Sequence, residues 1–262
     1  MILDRILTHK KNEVEELKRS TGRASLERAV RDLPPTRDFA VALRKRECAV
    51  IAEIKSRSPS AGTILDNFDH RTIAAIYESH GAAAISVITD RHFFGGDRSF
   101  LADIRSTVSL PLLRKDFIID DCQIIETRAL GADAVLLIAM ILDARTLRSF
   151  IMRAESLGMT PLVEVHSNED VKRALAAGAR VIGINNRDLQ TFKTDITVSA
   201  NLVPFIPEDI LVVSESGIRT RNDIDTLMAV GIRAFLVGEA LMKAADRGGT
   251  LRTLLGRDDY NA

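Results

Sequence analysis

Residues 131–185 read GADAVLLIAMILDARTLRSFIMRAESLGMTPLVEVHSNEDVKRALAAGARVIGIN, and the punctuation of this stretch decides the fold. Apolar, largely β-branched runs at 134–138, 162–165 and 181–185 alternate with helical patterns at 144–157 and 170–177. Gly158 and Gly178 close those two helices, and Gly131 stands at the same place before the first run. Glycine suits that place because it takes the left-handed conformation that ends a helix. Strand, helix, glycine, strand is the period of parallel strands joined by right-handed crossovers.

The period continues outward in both directions. Further runs lie at 50–54, 85–89, 112–115, 210–214 and 234–237, and further helical patterns at 71–80, 123–130 and 222–230, with Gly81 and Gly231 at their ends. That makes eight strands. No strand ends in G-x-G-x-x-G, so a doubly wound, dinucleotide-binding sheet loses its main support. At 262 residues the chain has about the length of one typical barrel. The expected fold is α/β, a (β/α)8 TIM barrel with an N-terminal helical extension. One domain covers 1–262, with the extension at 1–47 and the barrel at 48–262. Leu3, Ile6, Leu7, Val14 and Leu17 predict one amphipathic helix in the extension, and 26–30 and 39–43 predict two more around Pro34 and Pro35. The extension either plugs the bottom of the barrel or shapes its mouth, and periodicity does not decide which.

Thirty-six basic and 36 acidic residues cancel, so neither nucleic acid nor a membrane is the expected partner. Cys48 and Cys122 stand far apart, with no C-x-x-C and no histidine at ligand spacing, which argues against a disulfide scaffold or a metal site. The charged start, Asp4 and Arg5 running into Lys10, Lys11 and Glu13, does not read as a signal peptide. The longest apolar stretch, 134–142, falls far short of the ~20 residues of a membrane helix. A cytoplasmic protein with reduced thiols and a small-molecule partner is expected.

In a barrel, alternate residues of each strand face the axis and functional groups gather at the C-terminal strand ends. That parity groups Ile51, Glu53 and Lys55 on the first strand, and Leu113, Lys115 and Phe117 on the third. It also groups Leu162 with Glu164, Gly183 with Asn185 and Arg187, and Val213 with Glu215. Inward charges of both signs from five strands are costly to bury without a use. Lys55, Lys115 and Glu164 are therefore candidate catalysts, with Glu53 and Glu215 either catalytic or structural partners of the lysines. A lysine held near other cations would have a lowered pKa, suiting it to donate a proton near neutral pH. Arg114 points outward by the same parity and reads as an edge charge facing solvent, without a role. The loops after strands seven and eight, Ser214-Glu215-Ser216-Gly217-Ile218 and Val237-Gly238-Glu239-Ala240, lie where barrels bind phosphate on backbone N–H groups. Phe93-Phe94-Gly95-Gly96 reads equally as an aromatic lid or a plain turn. The small-residue loop 56–62 suits a lid at the mouth, and His166 reads as a structural histidine.

Taken together, these motifs resemble the indole-3-glycerol phosphate synthase family. The resemblance rests on Lys55-Ser56-Arg57-Ser58-Pro59-Ser60, Leu113-Arg114-Lys115-Asp116-Phe117 and Leu162-Val163-Glu164-Val165, and on Asn185-Asn186-Arg187-Asp188 with the two loops just quoted. It spans nearly the whole chain. It implies closure of 1-(2-carboxyphenylamino)-1-deoxyribulose 5-phosphate to indole-3-glycerol phosphate, with no cofactor or metal, in a monomeric enzyme. By the same resemblance Lys115 is the acid of ring closure and Glu164 the acid–base group of dehydration. Lys55 holds the substrate carboxylate or acts as an acid in one of the steps. Glu53 and Asn185 orient the reacting groups, with Arg187 and Glu215 in support. Ser216, Gly217, Gly238 and Glu239 bind phosphate, and Ser58, Phe94, Phe117 and Leu136 enclose the aryl ring. Two alternatives stand beside this reading. One is a phosphoribosylanthranilate isomerase-like barrel, which needs only one acid and one base. The other is a non-catalytic binding barrel, which would be expected to break the set Lys55, Lys115 and Glu164.

Overall fold

Eight parallel strands close into a barrel in chain order: β1 Ala49–Ile54, β2 Ala84–Ile88, β3 Leu112–Lys115, β4 Ala134–Ile138, β5 Thr160–Val165, β6 Val181–Asn185, β7 Leu211–Glu215 and β8 Ala234–Val237. β8 pairs with β1, Ala234 beside Ala49 and Leu236 beside Ile51, so the sheet has no edge. The structure is a computed structural model that describes residues 2–58, 62–63, 68–188, 191 and 193–257, without the side chains of Ser58 and Thr63. The expected strands are all present, four with the expected bounds and four displaced by one or two residues. A two-stranded hairpin of Arg57–Ser58 and Gly62–Thr63, which periodicity did not show, lies within the loop after β1.

Five crossover helices start at side-chain caps, whereas α6 Ser99–Arg105 and α10 Thr197–Leu202 do not, and α2 Arg23–Arg31 belongs to the extension. Asp69, Asp120, Asp143, Ser167 and Thr220 each accept backbone N–H groups at the start of α4 His70–Ser79, α7 Asp121–Ala129, α8 Ala144–Ser156, α9 Asn168–Ala177 and α11 Arg221–Ala229. Such a cap is worth about 1 kcal/mol. Gly81, Gly131, Gly158, Gly178 and Gly231 all have positive φ where their helices end, as the sequence period requires. No helix among the described residues is long and apolar enough to cross a membrane.

Strand parity sorts the interior. Ile51, Leu113, Ala134, Leu136, Leu162, Val213 and Leu236 pack with one another inside the barrel. Val50, Ala52, Ile54, Val135, Leu137, Val163, Ile182 and Ile184 face outward into the layer between strands and helices. The extension does both things the sequence left open. Its third helix, α3 Phe39–Arg44, drives Phe39 and Leu43 into the axial core beside the strand starts Ala49 and Ala84, closing the bottom. Its first helix, α1 Ile2–Ser20, instead reaches the opposite end, because Lys10 ion-pairs with Asp90 and Asp116 beyond the C-terminal ends of β2 and β3.

Arg114 corrects the outward-parity reading. It does point away from the axis, yet it is 2% exposed. Its guanidinium pairs with Glu126 of α7 at 2.9 Å and Asp116 at 3.1 Å, and also donates to Thr89, Thr127 and the carbonyl of Gln123. Outward in a (β/α)8 barrel means toward the helix layer, where a charge needs partners. Arg114→Met removes the cation but leaves Glu126 and Asp116 facing a dry layer. Urea unfolding is expected to show a loss of about 3–5 kcal/mol, the cost of breaking a buried pair; an unchanged midpoint would contradict a structural role for this cation.

Candidate active site

A cavity of about 1160 Å³, including solvent at its opening, lies at the C-terminal strand ends. The inward parity carries Glu53, Lys55, Lys115, Glu164, Asn185 and Arg187 onto its walls from β1, β3, β5 and β6. Phe94, Phe117, Leu136, Ser216, Gly217, Gly238 and Glu239 line it as well. Of the expected site residues, Glu215 stands behind the wall and does not line the cavity. The side chain of Ser58 and residues 59–61 lie outside the described residues, so the lid expected at 56–62 is described only where the hairpin forms.

The floor is a cluster of opposed charges. Lys115 Nζ donates to Glu164 Oε2 at 3.2 Å and lies 3.5 Å from Glu215 Oε2, while Lys55 Nζ donates to Glu53 Oε1 at 2.7 Å. The Lys115 side chain is 18% exposed, against 2% for Glu164 and 1% for Glu215, so the ammonium faces the cavity and the carboxyls back it. Two glycines make this crowding possible. A Cβ on Gly183 would collide with Glu215 Oε1, and one on Gly238 with Glu53 Oε1.

Burial and charge set the protonation of the floor. Burial alone would strip the proton from Lys115, but Glu164, Glu215 and Glu53 hold it on and raise its pKa well above the usual lysine value. This corrects the expectation of a lowered pKa: the neighbours are anions, not cations. Glu53 is pulled below the usual carboxylate value, since the nearby Lys55 and Lys115 outweigh its burial. Glu164 is lowered in the same way, against its burial, by Lys115, by His166 and by a hydrogen bond with Asn185. Glu215 goes the other way, pushed up to about 8 by burial and by the charges of Glu164 and Glu53 despite Lys115. At neutral pH two ammonium groups therefore face two carboxylates and one neutral acid. The floor is balanced.

Apolar and polar rims flank it. The rings of Phe94 and Phe117 lie 6.1 Å apart, and Ile88, Leu136 and Ile138 complete an apolar wall. Phe94 sits on the one-turn helix α5 Arg91–Phe94, whose start is capped by the Asp90 carboxylate accepting from the N–H groups of Phe93 and Phe94. On the far side the chain turns through Ser216 at φ 67° and Gly217 at φ 81°. Asn186 holds that turn by donating to Ser214 Oγ and the Ser216 carbonyl. Arg187 crosses from the β6 loop to the Glu239 carboxylate at 3.3 Å, and Arg219 also lines this rim.

Lys10, Asp90 and Asp116 escaped sequence reasoning. Lys10 is 1% exposed and pairs with Glu13 at 2.7 Å, Asp116 at 2.8 Å and Asp90 at 3.1 Å. Burial opposes its charge, but Asp116 and Asp90 overcome this and raise its pKa. Asp116 in turn is held down to about 2, against its burial, by Lys10 and Arg114. The extension thus grips both the cap of the Phe94 helix and the residue between Lys115 and Phe117. A signal was present in the sequence. Ile6, Lys10, Val14 and Leu17 form the buried stripe of α1, and a lysine in an apolar stripe calls for an acidic partner.

Comparison with known proteins bears on what such a site does. The profile of the family described as indole-3-glycerol phosphate synthase matches residues 3–254. Indole-3-glycerol phosphate synthase of Alkaliphilus metalliredigens is 48% identical over 255 residues, covering 97% of this chain and 98% of that protein. That of Desulforamulus reducens is 47% identical over 248 residues, or 94% of each. Among solved structures, a 3-hexulose-6-phosphate synthase superposes with a TM-score of 0.62 at 15% identity, over 80% of this chain and 99% of that one. The thiamine phosphate pyrophosphorylase of Pyrococcus furiosus does so with 0.59 at 17%, over 81% and 95%. These two structures show the fold alone.

The raised Glu215 makes a signed prediction. The folded protein keeps a proton there that the unfolded chain releases near the usual glutamate pKa. The stability that Glu215 contributes therefore falls as pH rises from about 4.5 through about 8 and levels off above. Glu215→Gln removes this dependence. Unfolding free energies across that range should show wild type losing ground steadily to the variant, and a pH-independent difference would contradict a Glu215 that holds its proton at neutral pH.

Proposed function

The chain belongs to the indole-3-glycerol phosphate synthase family, and on that premise we propose which residues carry the reaction. The reaction closes 1-(2-carboxyphenylamino)-1-deoxyribulose 5-phosphate to indole-3-glycerol phosphate with loss of carbon dioxide and water, which makes the enzyme a carboxy-lyase of tryptophan biosynthesis. The observation that carries the assignment is the placing of Lys115 between Glu164 and Glu215 on the cavity floor, with the second lysine, Lys55, beside Glu53.

The substrate has three handles, and the cavity has a counterpart for each. Its phosphate goes to the Ser216–Gly217 turn and the Gly238–Glu239 loop, which line the cavity together with Arg187 and Arg219, whose positive charge suits it. Its aryl ring lies against Phe94, Phe117 and Leu136. Its carboxylate meets Lys55, which holds it until it leaves.

Ring closure joins the carboxylate-bearing aryl carbon to the ketone carbon, and the ketone oxygen gathers negative charge. Lys115 gives its proton to that oxygen. A raised pKa does not prevent this, because the developing alkoxide is a stronger base than an amine, and a lysine kept fully charged polarises the ketone throughout. Departure of carbon dioxide returns an electron pair and restores the aromatic ring. Dehydration then removes the new hydroxyl as water and a proton from the adjacent carbon. Glu164, ionised at rest, is the acid–base group of this step, and Asn185 orients it. Glu53 holds Lys55, and neutral Glu215 backs Lys115 without adding a third negative charge. A monomer is the active form that the family resemblance implies. Free Cys48 and Cys122 fit a reducing, cytoplasmic setting.

Indole emission reports the product, and the chain has no tryptophan to obscure it. Lys115→Ala should still fold and bind but lower kcat by about 10³-fold, in the range of a lost positioned acid; near-normal kcat would overturn its assignment. Ser216→Asp puts a negative charge at the phosphate turn, and aspartate tolerates the left-handed backbone there. It should raise KM about tenfold or more with little change in kcat. A change in kcat alone would move the phosphate elsewhere.

A further inference from the structure

His166 follows β5 two residues after Glu164, on the same inward parity, and its ring lies against that carboxylate. Nε2 is 3.4 Å from Glu164 Oε1, and the side chain is 8% exposed. Both ring nitrogens are shielded from solvent and neither completes a hydrogen bond among the described residues. The backbone N–H of His166 donates to Asp170 at the start of α9, which anchors the residue but leaves its ring uncommitted. The acidic oxygen within ion-pair reach of the ring, among the described residues, is Glu164 Oε1.

We propose that His166 is a positioning residue for Glu164, its imidazole donating Nε2–H to Oε1 so that Oε2 is presented to Lys115 and the substrate. The last torsion of a glutamate is broad, so a carboxylate held at one oxygen only can turn. Lys115 holds Oε2, and Asn185 also bonds the group. A donor at Oε1 fixes the carboxylate plane from the opposite side. With its proton on Nε2 the ring meets the carboxylate.

This inference rests on Glu164 being the acid–base group, and the test separates the two. His166→Leu and His166→Gln are compared for indole formation, each alone and combined with Glu164→Gln. His166→Leu should lower kcat about tenfold, the worth of one hydrogen bond to a charged group, and leave KM within about twofold. Gln keeps an N–H donor at similar reach and should restore kcat to within about threefold of wild type. In the Glu164→Gln background neither change should cost more. Unchanged kcat in His166→Leu, failure of Gln to rescue, or additivity with Glu164→Gln would each overturn the proposal. Near-normal kcat in Glu164→Gln alone would instead refute the acid–base assignment. Imidazole ¹⁵N shifts of the unaltered protein give a second reading that needs no variant to fold. A proton on Nε2 is expected, and the Nδ1–H tautomer would overturn the proposal.

Discussion

The Lys115 ammonium, held against Glu164 and Glu215 on the floor of the barrel mouth, is the constraint around which the rest is arranged. A charge out of contact with bulk water needs compensation close by, and compensation by three carboxyls overshoots unless one of them stays protonated. Glu215 is that one, the most enclosed of the three and flanked by Glu164 and Glu53. The arrangement also dictates what cannot be present. Gly183 and Gly238 lack side chains because carboxyl oxygens occupy the space where a Cβ would sit. Those glycines read as strand or loop residues, yet their places follow from the charges beside them.

A second ring of charge supports the first. Lys10, Asp116, Arg114 and Glu126 form a buried chain from the N-terminal helix, across the end of β3, to α7. Through Asp90 it also reaches the helix that carries Phe94. The extension is therefore part of the mouth as well as a plug for the bottom. A buried network of paired charges specifies one arrangement more sharply than apolar packing does, and loses heavily if one member is removed. That suits residues flanking the lysine proposed as the acid, whose ammonium must stay within hydrogen-bond reach of its partners.

Much of this was legible in the sequence, for reasons that differ by residue. The strands were visible because parallel barrel strands are buried on both faces, so runs such as Ala134–Ile138 are apolar throughout and glycines punctuate them. Glu53, Lys55, Lys115 and Glu164 stood out because charges of both signs gathered on the inward parity are costly to bury without a use, and Asn185 shares that parity. What was not legible depends on contacts between distant segments. Lys10 meets Asp90 and Asp116 only after the chain has wound through one or two crossovers, and no local pattern encodes that. Arg114 failed for a related reason, since outward parity in a barrel leads under a helix rather than into water. The pKa of Lys115 was misjudged in sign because its neighbours were taken to be cations, when the register brings carboxyls to it from β5 and β7.

The proposed mechanism depends on the charge state of this floor, and ¹³C NMR of protein labelled at glutamate carboxyls measures that state directly. At pH 7 in the resting protein, one buried carboxyl should show the shift of a protonated acid, and Glu215→Gln should abolish its resonance. The resonances assigned through Glu53→Gln and Glu164→Gln should remain those of carboxylates. Three ionised carboxyls at pH 7, or the proton resting on Glu164, would contradict the balance of two ammonium groups against two carboxylates and one neutral acid.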